Sequence, residues 1–196
     1  MEKKKYSIKE DFSMLALLII PVGVAVNFVG GQLASILKLP MYLDTIGTIF
    51  AAMLCGPWVG AVTGGLTNVV TGIANPVNFA FIAGLVTGFL ARKQMFSVWW
   101  KWLISMFVMA WVSIIVSAPI VVLVYGGVTG GGTSIITAAA MAAGANIWAA
   151  FFGTEGVFQV LDRIISFLIC WAVIKVIPPR TLVKFGCGSN YIKEKK

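Results

Sequence analysis

The chain has 196 residues, of which 59% are hydrophobic and only 11% charged, with a mean hydropathy of +0.95. A soluble domain carries about 25% charged residues, so this inventory cannot clothe a water-exposed surface. The net charge of +8 sits at the ends of apolar runs and in the tails, not in a groove interleaved with aromatics, which sets nucleic-acid binding aside.

A lysine-led start is followed by an apolar run over about 12–37, longer than a signal-peptide core and without a small-residue cleavage site after it. It reads as a retained first span, with Pro21 allowing a kink and Asn27 and Gln32 interrupting the apolar face. Lys38-Leu39-Pro40 ends it, and a short second span covers about 42–55 before the Gly56-Pro57 turn. The third span runs over about 58–73, Asn75-Pro76 breaks the chain, and the fourth covers about 77–91 up to Arg92-Lys93. Trp99, Trp100 and Trp102 form an interfacial belt where the fifth span, about 99–125, begins. The run Gly126-Gly127-Val128-Thr129-Gly130-Gly131-Gly132-Thr133-Ser134 suits close backbone approach or a flexible lid. It lacks the Lys-Ser or Lys-Thr pair of a Walker phosphate loop.

The stretch 135–152 is apolar, Ala-rich and about the length of a span. Counting it as a seventh crossing would put Arg180, Lys184 and the lysine-rich tail on the wrong side. It is therefore read as an extra outer helix which, with the glycine run, makes a lid over about 126–152. The last span is about 156–177, closed by Pro178-Pro179-Arg180. The fold expected is an all-α integral membrane bundle of six spans, a single domain over 1–196 without internal repeats. Threaded this way, every Lys and Arg except Lys38 and Arg163 lies on one side, while Asp44, Glu155 and Asp162 lie toward the other. Basic loops stay in the cytoplasm, so both termini are expected inside and a polar vestibule outside.

Histidine is absent, which removes the commonest general base and metal ligand and excludes HExxH zinc sites and Ser–His–Asp relays. Cys55, Cys170 and Cys187 are unevenly spaced and read as apolar filler or reduced thiols, not as a disulfide framework. Small residues recur at four-residue spacing (Gly60 and Gly64; Ala80, Gly84 and Gly88), a stripe that permits close helix packing or docking of another membrane protein.

Ionisable residues at membrane depth are costly and mark function. Glu155, Gln159 and Asp162 share one helix face, with Arg163 beside them either as a ligand contact or as a neutralising partner for Asp162. Asp44 either caps the second span or contacts a ligand. Asn68, Asn75 and Asn78 gather at the outer end of the third span and its loop, and Asn146 and Trp148 lie on the outer helix. Amides bind polar heterocycles and Trp offers a stacking face, so their convergence on one side suggests a small-molecule pocket. Its acidic excess suggests a ligand with a cationic or proton-donating group.

The entry Pro40-Met41-Tyr42-Leu43-Asp44-Thr45-Ile46-Gly47 precedes the turn Leu54-Cys55-Gly56-Pro57-Trp58-Val59-Gly60-Ala61. The Asn75-Pro76 break, the glycine-rich loop after Tyr125, and Asp162-Arg163 with Pro178-Pro179-Arg180 then follow. In this order the features resemble the substrate-binding S components of energy-coupling factor (ECF) vitamin transporters, over nearly the whole chain. The Gly-Pro turn is the most distinctive match.

The resemblance implies a RibU-like or ThiT-like six-helix bundle in a prokaryotic plasma membrane. It implies a high-affinity subunit that binds a vitamin or related micronutrient and moves with a transmembrane coupling protein and two ATPase subunits. The ligand would be held against Tyr42 and Trp148 by the amides and carboxyls. ATP would bind only on the partners, and the chain would have no cofactor or metal and would not be an enzyme. Many S components carry an Ala-x-x-x-Ala docking patch in the first span. Here Gly23, Gly30 and Ala34 stand in that region, Gly30 with Ala34 and Gly23 with Asn27. The alternative reading is a solitary channel or facilitator for a small polar solute, which would need a polar file through the bundle.

Overall fold

The computed structural model describes residues 8–71 and 80–192, whose regular structure is helical, with no strand among them. In chain order the helices are α1 (Ile8–Asp11), α2 (Met14–Ile36), α3 (Ile46–Cys55), α4 (Pro57–Thr71), α5 (Ala80–Arg92), α6 (Trp99–Leu123), α7 (Gly132–Ala142), α8 (Ile147–Val176) and α9 (Pro179–Leu182). A 3-10 turn over Gly188–Tyr191 follows. Three of them, α2, α6 and α8, are long and apolar enough to cross a membrane. Their outward faces carry Leu18, Val22, Val29, Phe107, Ile115, Val157 and Leu168, all exposed, as suits contact with lipid tails.

Helix α3 is apolar on every side and is correspondingly enclosed, with eight of its ten residues buried. At ~1.5 Å per residue it is shorter than a hydrocarbon core of ~30 Å. The helix of the second span expected over 42–55 thus starts only at Ile46, and 42–45 belong to the connection before it. Its N-terminus is capped from another helix. Asn27 of α2, fully buried, accepts from the backbone N–H of Gly47 at 2.7 Å and donates to Thr48 and Thr67 Oγ1 at 2.8 and 2.9 Å. The polar interruption in the first span therefore satisfies backbone donors that apolar surroundings would leave costly.

The small-residue stripe joins α4 to α5. A Cβ on Gly84 would collide with the carbonyl of Gly60, and one on Gly64 with that of Ala80, so the two backbones approach as only glycine permits. Around α3 lies a core of Ile49, Met53, Leu54, Val59, Met109, Phe167 and Ile174. A second, smaller cluster of Ile114, Ala118, Val121, Val122 and Phe151 joins α6 to α8.

Helix α8 differs most from expectation. It runs unbroken from Ile147, where a separate outer helix ending near 152 and a last span starting near 156 were expected. Asn146 starts it by accepting from the N–H of Trp148 at 2.9 Å. Gly153 and Gly156 lie inside the helix facing open space, where each costs only the ~1 kcal/mol of glycine propensity. The outer helix is α7 alone, and Asp162, expected early in the last span, stands at the middle of α8.

At the opposite end, Arg92 Nη2 donates to both carboxylate oxygens of Asp11 at 2.8 and 2.7 Å, and the same carboxylate accepts from the N–H of Trp58 at 3.4 Å. The C-terminal segment folds back over the ends of α3 and α5. Cys187 N–H donates to Leu54 O at 2.8 Å, Asn190 Nδ2 to Ala91 O at 3.0 Å and Tyr191 OH to Met53 O at 3.2 Å.

Candidate functional site

The connection between α2 and α3 descends into the bundle instead of skirting it. Lys38 and Leu43 both have left-handed backbone, with φ of 49° and 52°. For a branched residue such as Leu43 that conformation costs ~1–2 kcal/mol and persists only where the surroundings impose it. Gly30 and Gly132 make the descent possible, since a Cβ on either would run into the carbonyls of Leu43 and Leu39 respectively. From the other side Asp162 holds the turn. Its Oδ1 accepts from the backbone N–H groups of Tyr42 and Leu43 at 3.0 and 2.9 Å, and the residue is fully buried.

Above Asp162 on the same face of α8, the Tyr42 hydroxyl donates to Glu155 Oε1 at 2.7 Å and shares a 2.9 Å hydrogen bond with Thr133 Oγ1. Arg163 donates to Thr45 Oγ1 and, at 3.1 Å, to Gln159 Oε1, while its Nη1 lies 3.5 Å from Asp162 Oδ2. Its Nε is buried without a partner. Three carboxylates (Asp44, Glu155 and Asp162) and one guanidinium thus meet at one level. Burial, and then the charge of Asp162, push the Asp44 carboxyl from 3.8 up to about 6, against the pull of Arg163.

Two cavities flank this level. The first, about 60 Å³, is lined by Asp44, Glu155, Gln159 and Arg163, with hydroxyls of Thr45, Ser113, Ser117, Thr129 and Ser134 around them. The second, about 240 Å³, lies between the end of α2 and the glycine-rich segment 129–132. Tyr42, Asp44 and Thr129 border both, so the 39–45 connection is the partition between them. Joined, they reach the lower end of the ~300–1,000 Å³ range of small-molecule sites.

Of the residues singled out from sequence, Tyr42, Asp44, Glu155, Gln159 and Arg163 line the first cavity. Asp162 faces the connection's backbone instead. Asn146 caps α8, Trp148 stacks on Phe152 with ring centroids 6.3 Å apart, and both are exposed and border neither cavity. Asn68 is half-buried on α4 with its Oδ1 unpartnered, also outside both linings. Asn75 and Asn78 lie outside the described residues. Gly23 packs on Gly47, Gly30 faces Leu43, and Ala34 is buried beside the second cavity. The hydroxyl ring escaped the sequence reading. Ser113 and Ser117, one turn apart in an apolar helix, were the available signal. Among the described residues no group of His, Cys, Asp and Glu is arranged to hold a metal ion.

No family model matches this chain, and no curated protein or solved structure does either. The side chains at the partition therefore carry the functional reading.

Proposed function

We propose that the chain is the substrate-capture S subunit of an ECF-type importer for a vitamin or related micronutrient. It would cross a prokaryotic plasma membrane as a six-helix bundle with both termini in the cytoplasm, and it would be energised by two partner ATPases through a coupling protein. The observation that carries this reading is the pair of cavities at the 39–45 connection, the inner one lined by the buried Glu155, Gln159 and Arg163 and both bordered by the half-buried Tyr42 and Asp44, in a largely apolar bundle. Such groups are expensive in lipid and are retained where they meet a polar solute.

The geometry supports capture in the following way. A solute entering beside the glycine-rich segment reaches Tyr42 first, and displacing its hydroxyl from Glu155 opens the inner cavity. Tyr42, Glu155, Gln159 and Arg163 then bind, and Asp162 keeps the connection in register. Each tenfold in affinity takes ~1.4 kcal/mol, so a few well-made hydrogen bonds in a preorganised site suffice for tight binding. Gly23, Gly30 and Ala34 are occupied by packing within the chain, so the coupling protein would dock on the outward helix faces. The test is uptake by cells expressing the chain with and without a coupling protein and its ATPases. Accumulation that needs the ATPases supports the reading, and equilibration by the chain alone assigns it to a facilitator.

A further inference from the structure

The end of the bundle away from the cavities carries charges that solute capture does not use. Lys175 lies ~30 Å along α8 from Glu155, at ~1.5 Å per residue, about the thickness of a hydrocarbon core. Ala91, Phe167, Ile174, Leu182 and Phe185 share one buried cluster there, and Trp102 packs on it with its ring centroid 6.5 Å from that of Phe167. Lys93, Lys101, Lys175, Arg180 and Lys184 each stand one or two residues from a member of this cluster. The fold thus gathers cations from distant parts of the chain around one end. Lys101 is half-buried and the others are exposed, and among the described residues none of them forms an ion pair. Asp11, the carboxylate described at this end, is held by Arg92 at 2.7 and 2.8 Å, while Lys9 and Glu10 of α1 cancel in charge. Two of the cations are set at a particular depth. Lys175 Nζ lies 3.6 Å from the ring centroid of Trp171, and Lys101 Nζ 5.8 Å from that of Trp100. Trp99, Trp100 and Trp171 are exposed, and indole rings settle where hydrocarbon gives way to headgroups.

We infer that this end is an interaction surface for anionic phospholipid headgroups, which it prefers to zwitterionic ones. The inference goes beyond solute capture and rests only on the bilayer-spanning part of the reading above. Charge complementarity names the occupant. Unpaired cations at headgroup depth attract a phosphodiester that lacks the compensating ammonium of a zwitterionic lipid. Leu103 and Phe107 on α6 and Leu168 and Val173 on α8 are exposed on the membrane side of this patch and receive the acyl chains. A free phosphate would meet the charge and leave that apolar surface uncovered. At the other end Lys38 is the exposed cation among the described residues, so the preference belongs to one face of the bilayer.

The experiment reconstitutes the full chain into vesicles of equimolar phosphatidylglycerol and phosphatidylcholine, re-extracts it in mild detergent, and counts the retained lipids by mass spectrometry. Retained lipid should favour phosphatidylglycerol at least about fivefold, the factor that one basic residue contributes at a charged surface. The triple variant Lys175→Gln, Arg180→Gln, Lys184→Gln should bring the ratio close to one, and Lys38→Gln should leave it as in the wild type. Arg180→Gln and Lys184→Gln singly should fall between, which keeps the test open if the triple variant does not fold. Equal retention of the two lipids by the wild type overturns the surface and leaves the membrane-spanning reading standing. A preference that survives in the folded triple variant, or in both single variants undiminished, overturns it in the same way. Displacement of the retained lipid by excess free glycerol phosphate marks a soluble-anion site and overturns the lipid assignment. A chain that does not enter the vesicles overturns the bilayer reading together with the inference.

Discussion

Replacing Asp162 with Ala removes the side chain that ties the backbone of the 39–45 connection to the centre of α8. Its Oδ1 accepts two backbone N–H bonds, at 3.0 Å from Tyr42 and 2.9 Å from Leu43, and its Oδ2 faces Arg163 at 3.5 Å. Hydrogen bonds to a charged acceptor contribute ~1.5–3 kcal/mol each, and stripping one partner from a buried ion pair costs ~3–5 kcal/mol. The upper figure overstates the loss here, because Arg163 keeps Thr45 and Gln159. The global cost should therefore lie near ~3 kcal/mol.

Locally the effect is sharper. Leu43 holds its left-handed backbone only because the connection is clamped, so release lets it relax. Amide exchange at Tyr42 and Leu43 should accelerate by on the order of 10–100-fold, the equivalent of losing about one such bond. Exchange within α4 should not change. Asp162→Asn, which keeps an acceptor oxygen but loses the charge, should fall between wild type and Asp162→Ala. Hydrogen exchange read by mass spectrometry on the 38–45 peptide checks this. Unaltered protection of that peptide in Asp162→Ala would refute the clamp.

Three further outcomes follow from particular contacts. In Gly84→Ala the new methyl meets the Gly60 carbonyl, a rigid backbone atom, so α4 and α5 must separate. A loss of ~1–3 kcal/mol is expected in detergent melting, and an unchanged melting temperature would show that the helices part freely. Asp44 has a folded pKa of about 6 against 3.8, so the folded chain binds its proton more tightly than the unfolded chain does. Stability should accordingly decline as pH rises from about 4 to about 6 and level off above, and Asp44→Asn should flatten that part of the curve; an identical slope in the variant argues against the assignment. At the other end, Arg92→Met leaves the Asp11 carboxylate, which is 2% exposed, without its bidentate partner, and ~3 kcal/mol should be lost. A double-mutant cycle with Asp11→Asn would then show strong coupling, whereas additive losses would mean that the pair is energetically idle.

The helical class and most element positions were legible in the residues themselves, because hydropathy and turn chemistry act over a few neighbours. The runs that became α2, α5 and α6, the Gly56-Pro57 turn and the shared face of Glu155, Gln159 and Asp162 all follow from such local signals. Where the reading failed, the deciding interaction was remote. Nothing in the sequence near 42–45 says that these residues leave the helix, since the carboxylate that holds them comes from 120 and 119 positions away. Asn27 shows only a polar letter in an apolar run until α3 and α4 are folded around it. Likewise the break expected between 152 and 156 is absent, since α8 runs unbroken through it. Periodicity reports which face of a helix is apolar, but not which partner that face meets. That choice belongs to the tertiary structure, and here it decided both how far the 39–45 connection descends and which charges gather around the cavity.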